Sequence, residues 1–278
     1  MGLETIQSLW IGNKLSVMEQ LCIRSFLDRG HPFRLYAYQD IAGIPEGAEL
    51  RDAREILPER EIFVYQTGSG RGSPSAFSNM FRYKMLLENG GWWADLDAYC
   101  LKPLRFSSEH VIGYERERDG SLHVNCGLMR VPAGSKFARF CWDECQRVDR
   151  GTVRWGQIGP RLTARAISET GTQFTILPPE AFYPIDHFRS INLVRESIIP
   201  ENCYSIHLWN SNWRREGLDP DATYRSDCIY EKLKQWHGIT TTDSVNRLQS
   251  TLSLMAPKFL RKMACGMRHR WATISHVT

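Results

Sequence analysis

Apolar and polar positions divide the start of the chain cleanly. Ile6 to Ile11 is a short, mostly apolar run stopped by Gly12-Asn13, which predicts a strand ending in a turn. Ser16 precedes Val17, Leu21, Ile23 and Phe26, with Glu19 three residues after it. That is the spacing of a capping box, and it predicts a helix ending near Arg29-Gly30-His31-Pro32. Phe33 to Tyr38 reads as a second strand. Strand, helix and strand in this order predict a right-handed parallel crossover.

The pattern continues through the chain. After a Gly- and Ser-rich loop from Thr67 to Pro74, Ser75 is a candidate cap for a helix carrying Phe77, Phe81, Leu86 and Leu87. The helix should end at Asn89-Gly90-Gly91, because glycine accepts the backbone angles that close a helix. Trp92 to Leu96, His110 to Tyr114, Val124 to Val131 (broken at Gly127), Gln173 to Leu177 and Ser205 to Trp209 read as strands. Lys136 to Val148, Gly159 to Thr170 and Cys228 to Trp236 read as helices. Alternating strands and helices predict one α/β domain over residues 1–242, followed after a polar hinge by a tail over residues 243–278.

Composition narrows the class. Hydrophobic residues make up 42% and charged residues 24% of 278, enough for a core without metal or disulfide staples. The net charge of +4 does not call for a nucleic-acid partner. Six bases against Asp243 give the tail +5, leaving −1 on the rest of the chain. Val245, Leu248, Leu252, Met255, Phe259, Leu260 and Met263 recur there at roughly helical spacing. Such a tail either lies on an anionic membrane surface or packs on the domain with a solvated basic face. The eight cysteines form no CxxC pair, and the first residues lack a basic segment followed by an apolar run. Reduced thiols and a cytoplasmic location, peripheral at the inner membrane face if the tail binds there, are the expectation. No Walker A lysine loop and no GxGxxG after a strand is present.

The chemistry concentrates in the segment from Phe77 to Asp97. Asp95 and Asp97 end a strand one residue apart, and hard carboxylate oxygens of this kind suit Mg²⁺ or Mn²⁺. Asp-x-Asp alone is a weak pattern. Here it follows a helix carrying Arg82 and Tyr83, the Gly90-Gly91 turn and two tryptophans. This arrangement resembles the glycosyltransferase family with a DXD-containing sugar-binding region, and more distantly the glucosylating domains of clostridial toxins. The dense match spans Ser75 to Leu104.

The resemblance implies a GT-A-like nucleotide-diphospho-sugar transferase fold, with a Rossmann-like, mostly parallel sheet flanked by helices. It implies that Asp95 binds the donor ribose and helps hold the metal, that Asp97 ligates the metal, and that Arg82 reaches the donor sugar or diphosphate. Tyr83 belongs to the same donor-binding helix. Asn79 stands where family members usually carry an Asp that bonds donor hydroxyls. Trp10, Ile11 and Gly12 correspond to the strand and turn beside the nucleotide base, and Asn125 to a polar contact in the sugar pocket. His207 corresponds to a late metal or diphosphate contact, with Asn210 or Ser211 as alternative oxygen ligands, and Trp213 to a donor toward the β-phosphate. Gly159-Pro160 corresponds to a helix opening without direct chemistry. Asp186 and Glu180 can face an acceptor or the surface equally well.

The implied activity is metal-dependent transfer of a sugar from a nucleotide-diphosphate donor, UDP-linked rather than GDP-linked. The acceptor is a glycan or lipid-linked molecule, in bacterial surface polysaccharide, capsule or lipopolysaccharide synthesis. Retention of anomeric configuration is expected, without an enzymic nucleophile. The alternatives are a toxin-like transferase acting on protein and a catalytically degenerate sugar-nucleotide binding protein.

Overall fold

The computed structural model describes residues 2–239. The basic tail, expected from residue 243, lies outside the described residues. The unit that carries the site runs over residues 1–233.

The chain opens with β1 (Ile6–Trp10), α1 (Val17–Asp28), β2 (Phe33–Ala37) and β3 (Ala48–Asp52). The central segment holds α2 (Ser75–Asn89), β4 (Gly91–Ala94), β5 (Ala98–Cys100), β6 (Val111–Arg116) and β7 (Leu122–Val131). Then come α3 (Lys136–Arg147), α4 (Pro160–Thr170), β8 (Thr175–Leu177), α5 (Pro179–Phe182) and α6 (Asn192–Arg195). β9 (Ser205–His207), α7 (Asn210–Glu216) and α8 (Ile229–Trp236) close the described chain.

Seven strands form one sheet in the order β3-β2-β1-β4-β7-β6-β8. β1 runs parallel to both β2 and β4, β2 runs parallel to β3, and β6 to β8. Only β7 runs against its neighbours β4 and β6. This is the mostly parallel, helix-flanked sheet of the expected GT-A-like class. β5 and β9 form a separate antiparallel pair that sets Ala98 opposite His207.

The sheet separates two apolar layers. Phe77, Phe81, Trp93, Met129 and Phe137 belong to one, and Ile6, Ile23, Phe26, Trp92 and Phe182 to the other. Trp92 and Trp93 fall in different layers because successive strand side chains point to opposite faces. The same alternation returns Asp95 to the face of Trp93, next to α2.

Two glycines set this geometry. Gly90 has φ +63, and a Cβ there would lie 2.3 Å from the Ala133 backbone nitrogen, so only glycine lets α2 turn so sharply into β4. At Gly127, the expected break, β7 continues, but its register against β6 shifts: Ile112 faces Met129 and Gly113 faces Asn125, which leaves Cys126 to Leu128 outside that pairing. The lack of a side chain at Gly127 also serves the site, as shown below. The described cysteines are all free and buried, in line with reduced thiols. Among the described residues, no helix is long and apolar enough to cross a membrane.

Candidate active site

Asp95 leaves the end of β4 and is held from both sides of the chain. Its backbone N–H donates to Gly127 O at 2.6 Å, and its own carbonyl accepts from Ala98 N at 2.9 Å, which closes a tight turn through Asp97. Asp95 Oδ1 accepts hydrogen bonds from Arg82 NH2 at 2.5 Å and Trp93 Nε1 at 2.7 Å. The other oxygen, Oδ2, faces the space above Gly127.

Arg82 is only 2% exposed, an unusual position for a guanidinium. Its charge is compensated by Asp95, and its NH1 donates to Asn79 Oδ1 at 2.9 Å and to Cys126 Sγ at 2.7 Å. The guanidinium also lies 4.9 Å from the Trp93 ring centroid. Arg82 therefore stands behind Asp95. Its Nε is buried without a hydrogen-bond partner among the described residues.

Asp97 belongs to a different wall. The chain after β9 holds both its backbone and its side chain: Leu208 N donates to the Asp97 backbone carbonyl at 2.7 Å, and Asn210 N donates to the carboxylate oxygen Oδ2 at 2.9 Å. Asp97 Oδ1 lies 3.4 Å from His207 Nε2. Trp209, in the middle of the turn, has φ 58, the only positive φ on a described residue other than glycine. A left-handed conformation costs a side-chain-bearing residue about 1–2 kcal/mol. Two contacts hold it there: Trp209 Nε1 donates to Ile185 O at 2.8 Å, and its ring stacks on His207 with centroids 4.0 Å apart.

These two walls bring Asp95, Asp97 and His207 together, with one ligand atom from each inside a 4.8 Å group. The space between them is kept open by the missing side chain of Gly127. A Cβ at that position would lie 3.0 Å from Asp95 Oδ2, 3.2 Å from His207 Nε2 and 2.9 Å from Asn125 Oδ1. The donor set and the opening suit a small divalent cation: two carboxylates and an imidazole fit Mn²⁺, and the carboxylates alone fit Mg²⁺. His207 contributes conditionally. Trp209 N–H donates to His207 Nδ1 at 3.2 Å, which leaves the ring hydrogen on Nε2, toward Asp97. Ligation through Nε2 therefore requires a change of tautomer and the loss of the Trp209 bond, whereas the carboxylates need no such change.

The electrostatics are consistent with a cation. Burial raises the Asp95 carboxyl above its ordinary value, opposed by Arg82 and reinforced by the nearby Asp97 charge. Solvent reaches part of this side chain, 32% exposed, from the cleft, while protein surrounds the rest. Two further carboxylates, which the sequence did not single out for the site, add to the excess of negative charge. Burial raises Glu19, with the Asp97 charge adding to the effect and bonds from Ser16 opposing it. Burial likewise raises Glu115, against a hydrogen bond from Asn125. Glu115 accepts from Asn125 Nδ2 at 2.9 Å, and Asn125 Oδ1 accepts from Gly127 N at 2.6 Å. Both ends of the Asn125 amide are thus fixed beside the opening.

Other expected residues lie further from this centre. Tyr83 is fully buried and its hydroxyl bonds Gly159 O at 3.2 Å and Thr163 Oγ1 at 2.8 Å, so it ties α2 to α4 instead of facing a donor. Trp213 is also fully buried, packed against Tyr230 and Tyr224 with centroids 4.7 and 5.8 Å away. Its Nε1 is buried without a hydrogen-bond partner among the described residues. Trp10, Ile11 and Gly12 are half-buried at the end of β1, with Trp10 Nε1 donating to Lys14 O at 3.1 Å. Asn79 sits one helical turn before Arg82, and a Cβ on Gly159 would lie 2.9 Å from its Nδ2. Asp186 and Glu180 share Arg116, and Asp186 is buried.

Comparisons with known proteins cover both halves of this arrangement. Residues 19–117 match the model of a glycosyltransferase sugar-binding region containing a DXD motif. Residues 131–245 match an alpha 1,4-glycosyltransferase conserved region. Human lactosylceramide 4-alpha-galactosyltransferase is 27% identical over 196 residues, which are 63% of this chain and 53% of that protein. The enzyme of the same name from Pongo pygmaeus is 27% identical over 197 residues, 63% of this chain and 86% of that sequence. The chain thus spans about half the length of the human relative. Among solved structures, the PaToxG glycosyltransferase superposes with a TM-score of 0.44 at 15% identity, covering 61% of this chain and 70% of that one. Both matched regions are thus regions of glycosyltransferases, in line with the resemblance read from the Asp95-Leu96-Asp97 segment.

Proposed function

We propose that this protein transfers a hexose from a nucleotide-diphosphate sugar, UDP-linked, to the sugar of a glycolipid or glycan, with a divalent cation held by Asp95, Asp97 and His207. The observation that carries the reading is the meeting of these three side chains over Gly127, at the end of a Rossmann-like strand. Ligands of open α/β sheets bind at the C-terminal ends of the strands. The glycolipid acceptor class is in line with the named substrate of the lactosylceramide 4-alpha-galactosyltransferases.

When bound, the cation would offset the negative charge that develops on the departing diphosphate. The chain's own residues prepare the place for it. Arg82 and Trp93 fix one oxygen of Asp95, and the Asn210 N–H fixes one oxygen of Asp97. Each carboxylate therefore presents its second oxygen without having to reorganise during the reaction. The Asn125 amide, set by Glu115 and Gly127, supplies a hydrogen-bonding group for donor hydroxyls beside the opening. Transfer with retention belongs to this reading: the departing phosphate would take the proton of the acceptor hydroxyl as it attacks from the same face, so Asp95 and Asp97 serve the cation and donor and not as an acid–base pair. The basic tail would bring the domain to a membrane face where a lipid-linked acceptor resides.

Asn79 favours a second reading, a protein that binds sugar nucleotide without turning it over. Its carbonyl oxygen is taken up by Arg82, where the family's usual Asp would add a full negative charge. One assay tests both: released nucleotide across UDP- and GDP-sugars, with Mn²⁺ or with a chelator. Metal-dependent release from a UDP-hexose, faster with a glycolipid acceptor, is the expected result. Donor binding without release from any sugar would establish the second reading.

A further inference from the structure

The Asp97 turn is clamped from α1, far from it in the sequence. Glu19, in the first turn of α1, is 1% exposed. Its Oε2 accepts from Ser16 N at 2.7 Å, the bond expected of a capping box. Its Oε1 accepts from Asn210 Nδ2 at 2.7 Å, a contact spanning 191 residues. Asn210 in turn donates its backbone N–H to Asp97 Oδ2 at 2.9 Å. The residue before it, Trp209, has the left-handed backbone noted above, so the turn needs external support to keep this shape.

We propose that Glu19 is a positioning residue of the cation site: its carboxylate fixes the Asn210 side chain, and the Asn210 backbone N–H fixes Asp97 for the cation. The inference rests on the cation reading above. A carboxylate suits this task because both its oxygens accept, one from each element. A glutamine would turn its NH₂ toward one of two N–H donors and lose that bond. Removing hydrogen-bond partners of metal-ligating groups typically weakens metal affinity about 10–100-fold.

The test is Mn²⁺ titration of the full chain, followed by calorimetry and by the Mn²⁺ electron paramagnetic resonance signal. It compares wild type, Glu19→Gln, Asn210→Ala, the double variant and Asp97→Ala. Asn210→Ala keeps its backbone N–H and the α1 capping box, so it cuts only the link between the two. The expected result is an affinity about tenfold weaker in Glu19→Gln and in Asn210→Ala, with the double variant no weaker than either single one. Unchanged affinity in Asn210→Ala overturns the proposal, and it decides alone should Glu19→Gln fail to fold. Weakening in Glu19→Gln only would assign Glu19 to α1 capping and equally overturn it. If wild type binds no Mn²⁺, or Asp97→Ala binds it normally, the cation reading itself falls.

Discussion

The two walls of the cleft hold their carboxylates by different means. On the α2–β4 wall, Asp95 is met by a buried guanidinium and an indole N–H, so much of its charge is compensated inside the fold. On the β9–α7 wall, Asp97 is met by a backbone N–H in a strained turn and by an imidazole edge, and no Lys or Arg is paired with it among the described residues. The difference separates two tasks. Asp95 is part of the folded core's charge balance, and its loss should be felt in stability. Asp97 is the less compensated charge, and its loss should be felt in cation binding.

Four substitutions and one change of pH break or sharpen that contrast. The largest effect belongs to Asp97→Ala, which should abolish metal-dependent release of nucleotide and weaken Mn²⁺ by about 100-fold or more, while thermal unfolding shows the fold intact. Arg82→Ala should act on the other quantity. It leaves Asp95 without its partner, and urea denaturation should show a loss of about 3 kcal/mol, the low end for a broken buried pair because Asp95 reaches solvent. A stable Arg82→Ala protein would show that this wall is not a structural pair.

Gly127→Ala comes next, because its methyl would enter the opening among Asp95, His207 and Asn125. Overpacking of this kind costs about 1–3 kcal/mol, and Mn²⁺ binding measured by calorimetry should weaken by about tenfold. His207→Gln should weaken Mn²⁺ less than Asp97→Ala does, because His207 must change tautomer before it can ligate.

The smallest effect is on the pH dependence of stability. Asp95, Glu19 and Glu115 are all raised by burial above their ordinary values of 3.8, 4.5 and 4.5. Between those values and their higher folded ones, the native state holds more protons than the unfolded state. Without cation, stability should therefore fall as pH rises through that window, starting from the ordinary carboxylate range. Added Mn²⁺ should flatten the slope, as guanidinium denaturation across pH 4 to 8 would reveal. Burial lowers His31 and His110 from 6.5, which acts in the opposite sense, so the deciding comparison is Glu115→Gln, whose slope should be less negative than that of wild type; an unchanged slope would contradict the raised Glu115 carboxyl.

Much of the donor half was legible in the sequence because its signals are local. The first crossover, α2, the Gly90-Gly91 turn and the Asp95-Leu96-Asp97 segment each follow from short-range spacing. β3 was not foreseen, since Ala-Glu-Leu-Arg-Asp carries three charges at a half-exposed edge, where pairing and not burial makes the strand. α7 was hidden because Asn-Ser-Asn-Trp-Arg-Arg-Glu has no apolar stripe and starts after a left-handed residue. Gly127 read as a breaker, and the register of β7 does shift there, but the open space it leaves beside Asp95 exists only in three dimensions. The same holds for Glu19, whose capping role was visible while its partner Asn210 lay 191 residues away. Buried Tyr83 shows the reverse case: an aromatic residue of the motif whose hydroxyl is bonded to Gly159 and Thr163.

The central claim is that Asp95 and Asp97 jointly hold a divalent cation. Crystals soaked with Mn²⁺ and UDP, with diffraction collected to locate manganese by its anomalous scattering, test it most directly. The account predicts one anomalous peak between Asp95 Oδ2 and Asp97 Oδ1, beside Gly127 and in contact with the diphosphate. A diphosphate bound with manganese elsewhere, and these two oxygens turned away from it, would contradict the account.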